Sequence, residues 1–173
     1  MKISFYGASQ EITGSCFLLE TKRAKLLIDC GLFQCPRFCD VRNEQNFPFD
    51  VRNIDALIVT HAHIDHIGRI PKLAKDGFQG QIFSTPATRE FAELMLLDSM
   101  GVLAKQARKE NKITLYTEDD VKLAMSRWKS VEYHQEFQIG DLKIVLKDAG
   151  HILGSAMIEI ENSESDSAKN SVK

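Results

Sequence analysis

His61-Ala62-His63-Ile64-Asp65-His66 puts four metal-capable side chains into six residues. The run before it, Asp55-Ala56-Leu57-Ile58-Val59-Thr60, is apolar and β-branched in the manner of a buried strand. The run after it, Ile67-Gly68-Arg69-Ile70-Pro71-Lys72-Leu73, reads as a turn or the start of a helix. The hexapeptide therefore occupies a strand-to-helix loop. There His61 and His63 can point the same way, as alternate strand residues do, while Asp65 and His66 turn toward a second point. Neutral imidazoles and a carboxylate suit zinc at about 2.0–2.2 Å, with manganese or iron as competitors. A polar turn whose histidines only cap a helix is the bland alternative, and the clustering argues against it.

Two outlying residues complete the constellation. Asp29 ends the apolar run Leu26-Leu27-Ile28, and a carboxylate at the end of a buried strand needs partners. It is either a turn cap or an outer partner that holds the metal loop in shape, and the second reading is preferred because metal ligands usually have such partners. Of the five histidines, three lie in the hexapeptide and a fourth, His151, lies in Gly150-His151-Ile152-Leu153-Gly154-Ser155. His134 is left as an ordinary strand or surface residue.

His61-Ala62-His63-Ile64-Asp65-His66 resembles the HxHxDH signature of the metallo-β-lactamase fold, with Asp29 matching that superfamily's first motif and His151 its third. The flanking words Gly7-Ala8-Ser9-Gln10-Glu11-Ile12-Thr13-Gly14-Ser15, Gly31-Leu32-Phe33-Gln34 and Gly150-His151-Ile152-Leu153-Gly154-Ser155-Ala156 narrow the resemblance to the β-CASP branch of RNA-processing ribonucleases. The likeness extends to about Glu161. It implies an α/β fold, a metallo-β-lactamase-type αββα sandwich, and two zinc ions in the intact family. His61, His63, Asp65, His66 and His151 are the metal ligands it implies, with Asp65 also a catalytic residue and Asp29 supporting from outside.

In the resembled family a Ser-Gly-Asp segment would follow and supply an aspartate bridging the two metals, and it is not in this sequence. The expectation is an N-terminal portion, incomplete at the C-terminus, with one well-formed zinc site from His61, His63 and His151. Asp65 and His66 alone leave the second site weak. Activity on RNA phosphodiesters is then expected to be low for this chain by itself. Two alternatives stand beside that reading. One is a non-catalytic fragment that binds one zinc and pairs with a missing C-terminal half or as a homodimer. The other is a metallo-β-lactamase-fold hydrolase of small esters, thioesters, lactones or β-lactams, which the flanking words disfavour.

A chain of 173 residues suits one domain with a sizeable core, and 43% hydrophobic residues is ordinary for a globule. No apolar run approaches the ~18 residues needed to span a bilayer. Met1-Lys2-Ile3-Ser4-Phe5-Tyr6 enters a strand pattern without the apolar core of a signal peptide, so the expected location is the cytoplasm, with no membrane partner. Net charge is −2, which excludes a strongly basic nucleic-acid footprint but not an RNA substrate. Bound metal attracts phosphate by its own charge, and Arg37, Arg42 and Arg69 are local basic candidates. Cys16, Cys30, Cys35 and Cys39 contain no Cys-x-x-Cys pair and read as reduced structural or free thiols.

The chain in order predicts strands over 2–6, 16–20 and 25–30 and a loop over 32–53. A strand at 81–84 follows the metal loop. A helix capped by Thr85, with Pro86 in its first position, should run to about Lys109. Its apolar residues Phe91, Leu94, Met95, Leu97 and Met100 read as a core-facing stripe, and Lys105, Arg108, Lys109 and Lys112 as a solvated helix end. Thr117 caps a second helix ending near Trp128, and strands return at 131–134, 142–148 and 155–161. Residues 1–161 form the partial metallo-β-lactamase domain, and 162–173 a polar flexible tail.

Overall fold

The computed structural model describes residues 1–34 and 39–162, with the side chains of Cys39 and Asp40 excepted. Strands β1 (Lys2–Phe5), β2 (Phe17–Glu20) and β3 (Lys25–Ile28) form an antiparallel meander. α1 (Cys39–Glu44) and a single turn of 3-10 helix, Val51–Asn53, then lead to β4 (Ala56–Ile58). The metal loop feeds α2 (Ile64–Ile67) and α3 (Ile70–Lys75). Next come β5 (Gln81–Ser84), α4 (Pro86–Glu110), α5 (Glu118–Ser126) and β6 (Trp128–Ser130). β7 (Glu136–Ile139), β8 (Leu142–Asp148) and β9 (Ala156–Asn162) close the described chain.

β1 to β6 make one sheet in sequence order, antiparallel as far as β3 and parallel from β3 to β6. β7, β8 and β9 make a second, antiparallel sheet. Side-chain alternation on the first sheet sends Leu27, Leu57 and Ile82 into a core shared with the helices, alongside Ile67, Ile70, Leu73 and Leu96. The opposite face sends Leu26, Ala56, Ile58 and Phe83 against Leu142, Ile144 and Leu146 of the second sheet. The layers are helix, sheet, sheet. Among the described residues no helix covers the outer face of the second sheet, where Lys143 pairs with Glu136 and Lys147 with Glu159 instead.

Several expectations hold and several are corrected. Thr85 and Thr117 cap α4 and α5 as predicted, Thr117 in a reciprocal pair with Asp120. The predicted core stripe of α4 is wrong at three of its positions. Phe91, Leu94 and Met95 are 42%, 66% and 38% exposed, and the helix instead buries Thr88, Ala92 and Leu96. Leu97 and Met100 do pack against the core. The strand expected at 131–134 lies earlier, at Trp128–Ser130, because the chain turns at exposed His134, which adopts φ 63°. The segment expected as loop holds α1, and β7 lies in a stretch with no predicted element.

Arg69 is not available to a substrate. It is buried, with Nε donating to the Gly31 carbonyl and its guanidinium over the Phe33 ring. Arg42 is ion-paired with Glu11, and Arg37 and Cys35 lie outside the described residues. Cys16 and Cys30 are buried free thiols, as expected. β9 takes in Asn162, and the rest of the predicted tail lies outside the described residues. No helix among the described residues is long and apolar enough to cross a membrane.

Candidate metal centre

Backbone pairing assembles the site at one end of the first sheet. Past β4 the chain stays in register for one more residue, Val59 N–H donating to the Phe83 carbonyl at 2.8 Å, and then leaves the sheet. His63 is the N-cap residue of α2, so Asp65 and His66 fall in that helix's single turn. Gly31 lets the segment after β3 lie against this turn, since a Cβ there would sit inside the Asp65 carbonyl group. Cys30 N–H to the His66 carbonyl at 2.8 Å and Ser15 N–H to the Asp65 carbonyl at 2.9 Å complete the clamp.

His151 arrives from the second sheet. The Ser155 hydroxyl accepts from the His151 and Ile152 N–H groups at 3.0 and 3.2 Å, folding the loop on itself. Thr85 and Thr88 at the start of α4 donate their hydroxyls to the Gly154 carbonyl at 2.7 and 2.8 Å. Ala156 N–H then donates to the Thr60 carbonyl at 2.8 Å. The third histidine loop is thus fastened to both the α4 terminus and the metal loop.

His61 Nε2 lies 3.1 Å from His63 Nδ1, and His151 Nε2 lies 3.2 Å from that same Nδ1. All three ligand atoms lie within 4.8 Å of one another. Tetrahedral coordination at about 2.0–2.1 Å would set such nitrogens about 3.3 Å apart, so the residues fit a metal ion. His61 is buried and His151 is exposed, which leaves one side of the cluster open to solvent.

Asp65 and His66 form a second pair, with His66 Nε2 3.7 Å from Asp65 Oδ2. The His66 ring lies 4.0 Å, centroid to centroid, from that of His61. Among the described residues only His61, His63 and His151 form a group of three donors.

Asp29 is the anchor behind both. It is 1% exposed, and its φ of 56° turns the carboxylate out of the β3 direction, a conformation that Asp tolerates better than most residues. Its Oδ2 meets His66 Nδ1 at 2.7 Å and accepts from the Ser15 hydroxyl at 3.2 Å. Its Oδ1 accepts from Thr60 N–H at 2.8 Å. Burial weakens the charged form of His66, but the hydrogen bond and charge of Asp29, helped by Asp65, outweigh it and hold the imidazole above its ordinary pKa. His61 has the opposite fate. Burial, then repulsion from His66, His63 and His151, push it down to about 4 against the pull of Asp29, so it is neutral at pH 7 and ready as a ligand.

The predicted ligands and Asp29 are therefore all at one place. Sequence reasoning passed over Thr60, Ser15, Ser155 and Thr88, whose hydroxyls position the others. The one available signal was that Ser15 and Ser155 stand beside glycines in the short flanking words, Ser155 in the same word as His151.

A family model described as a metallo-beta-lactamase superfamily domain matches residues 18–168. Ribonuclease TTHA0252 of Thermus thermophilus is 35% identical over 91% of this chain and 34% of its own length. Transcription termination factor FttA of Methanosarcina mazei is 35% identical over 91% of this chain and 24% of its own length. Cleavage and polyadenylation specificity factor 73 of Drosophila melanogaster is 33% identical over 93% and 23%. The chain thus spans between about a quarter and a third of the length of these relatives. Among solved structures, a metallo-β-lactamase of Cronobacter sakazakii with a HARLDQ motif superposes with a TM-score of 0.53 at 18% identity, over 88% of this chain and 50% of its own. A B3 metallo-β-lactamase with an active-site glutamic acid gives 0.53 at 22%, over 86% and 51%. With a family model that matches most of its length and structural neighbours of the same fold, this chain belongs to the metallo-beta-lactamase superfamily.

Proposed function

We propose that this chain carries the metal centre of a zinc-dependent hydrolase acting on RNA phosphodiester bonds, working in the cytoplasm. The observation that carries the reading is the convergence of three imidazole nitrogens at 3.1 and 3.2 Å on a face open to solvent. Zinc held there supplies a Lewis acid and lowers the pKa of a coordinated water toward about 7. The residues do the rest. His61 is kept neutral by burial and needs no deprotonation before it binds metal. Asp29 holds His66 by Nδ1 and so leaves its Nε2 facing Asp65. Asp65 and His66, 3.7 Å apart, would be the donors for a second ion beside the first, which would supply further Lewis-acid chemistry there. A pair of donors by itself holds an ion less firmly than the three-histidine group.

RNA is preferred over a small ester because relatives named as a ribonuclease and as a cleavage and polyadenylation specificity factor align across nearly all of this chain. The test is elemental analysis of the purified, folded chain beside His63→Ala, followed by incubation with labelled single-stranded RNA and with a small ester. About one zinc per chain, lost in the variant, is the expected result, with slow RNA cleavage abolished by a chelator. A chain that binds no zinc would overturn the reading. Ester turnover without RNA binding would move the substrate to the other hydrolase class. Two tightly held metals per chain would mean that a second copy or another polypeptide completes the Asp65–His66 position.

A further inference from the structure

We infer that the Thr60 hydroxyl is a positioning residue for the metal centre, fixing His61 in the tautomer whose Nε2 is free to bind metal. The inference rests on the metal-binding reading above and adds to it a residue to which neither the family match nor the ligand set assigns a role.

The argument is one of proton counting. Thr60 Oγ1 lies 3.1 and 2.9 Å from the two oxygens of Asp29 and 3.0 Å from His61 Nδ1. A hydroxyl has one proton to give and lone pairs with which to accept, whereas an ionised carboxylate only accepts. The Thr60 proton therefore goes to Asp29, and what faces His61 is a lone pair. An unprotonated Nδ1 there would set lone pair against lone pair inside the protein. The favourable arrangement has Nδ1–H of His61 donating to Thr60, and a neutral imidazole with its proton on Nδ1 has none on Nε2. That Nε2 is the atom 3.1 Å from His63 Nδ1.

Asp29 thereby sets both positions, His66 by direct contact at 2.7 Å and His61 through one hydroxyl. The 3.4 Å between Thr60 Oγ1 and His66 Nδ1 is long beside that contact, so the His66 proton belongs to Asp29. Thr60 suits the task because it is held from three sides. Its N–H donates to Asp29, its carbonyl accepts from Ala156, and its branched Cβ restricts χ1.

The experiment uses Thr60→Val, which keeps the shape and removes the hydroxyl, and Thr60→Ser, which keeps the hydroxyl. Zinc affinity is read by competition with a chromogenic chelator, the melting temperature is taken without metal, and the His61 tautomer is read by 15N-imidazole NMR on the metal-free protein. Removing an outer partner of a metal-bound histidine typically costs about 10–100-fold in affinity. Thr60→Val should show a loss of that order with its metal-free melting temperature close to wild type, and Thr60→Ser should recover most of it. Equal zinc affinity in wild type and Thr60→Val would overturn the inference. Equal losses in the serine and valine variants would too, since they would assign the effect to the methyl group. The wild-type NMR spectrum needs no variant and no metal. A proton on His61 Nδ1 supports the inference even if zinc binding fails, and a proton on Nε2 defeats it even if zinc binds.

Discussion

His61 is the buried member of the three-histidine cluster, and the acid response of the metal-free protein should show it. Its folded-state pKa of about 4 lies below the ordinary 6.5 that it regains on unfolding. Between those values the unfolded chain takes up a proton that the folded chain refuses, so stability falls as pH drops from 6.5 through 4. His66, with a raised pKa, contributes stability that is fully present below 6.5 and fades only as pH rises through its folded value, so it adds no slope in that window. Urea unfolding at several pH values in chelator should give a shallower acid slope for His61→Asn than for wild type. Identical slopes would show that burial of His61 is not the source. A second residue-scale test is Gly31→Ala, which sets a methyl group into the Asp65 carbonyl. It should lower stability by about 3 kcal/mol or more and loosen the metal loop, read by thermal melting. At this scale the histidine cluster was legible because metal-capable side chains rarely crowd into six residues, and Asp29 because a carboxylate at the end of an apolar strand needs partners. Thr60 and Ser155 were not, because hydroxyl residues beside a loop are usually only turn formers, and what they bond to is decided by segments distant in sequence.

α4 shows where periodicity misleads. Its large apolar residues lie at helical spacing, yet Phe91, Leu94 and Val102 point outward while small Thr88 and Ala92 allow close approach to the sheet. Bulk and hydropathy select the wrong face when the buried positions are small. Leu94→Gln and Val102→Gln should each leave the unfolding free energy within the ~0.5 kcal/mol typical of surface changes, whereas Leu96→Ala should cost about 2–5 kcal/mol. Urea titration of the three variants distinguishes these outcomes, and a large loss in Leu94→Gln would restore that residue to the core. The caps at Thr85 and Thr117 were legible because capping chemistry is local. α1 and β7 were not. α1 is one short polar turn fixed by Asn43, which accepts from Phe33 N–H at 2.9 Å and donates to the Phe33 carbonyl at 3.0 Å. β7 exists because β8 pairs with it.

The molecule has two cores, one on either face of the first sheet, and the candidate metal centre lies at one end of that sheet. Its layered α/β class could be read from strands alternating with helices, but the second sheet's position could not, because nothing local in β8 or β9 says what its inner face will cover. Zinc at about 100 times its dissociation constant should raise the unfolding free energy by about 2.7 kcal/mol, and His151→Ala should remove most of that gain. Denaturant melts with and without zinc check it. His63 and His151 are separated by 88 positions along the chain, whereas His61 and His63 share one loop. A folding chain can therefore present two imidazoles early and the third only when the strand pair carrying it has docked on the first sheet. Metal capture then becomes a late and conditional event, a clasp that shuts only on an assembled molecule. Zinc uptake followed by stopped flow would time the arrival of the last layer.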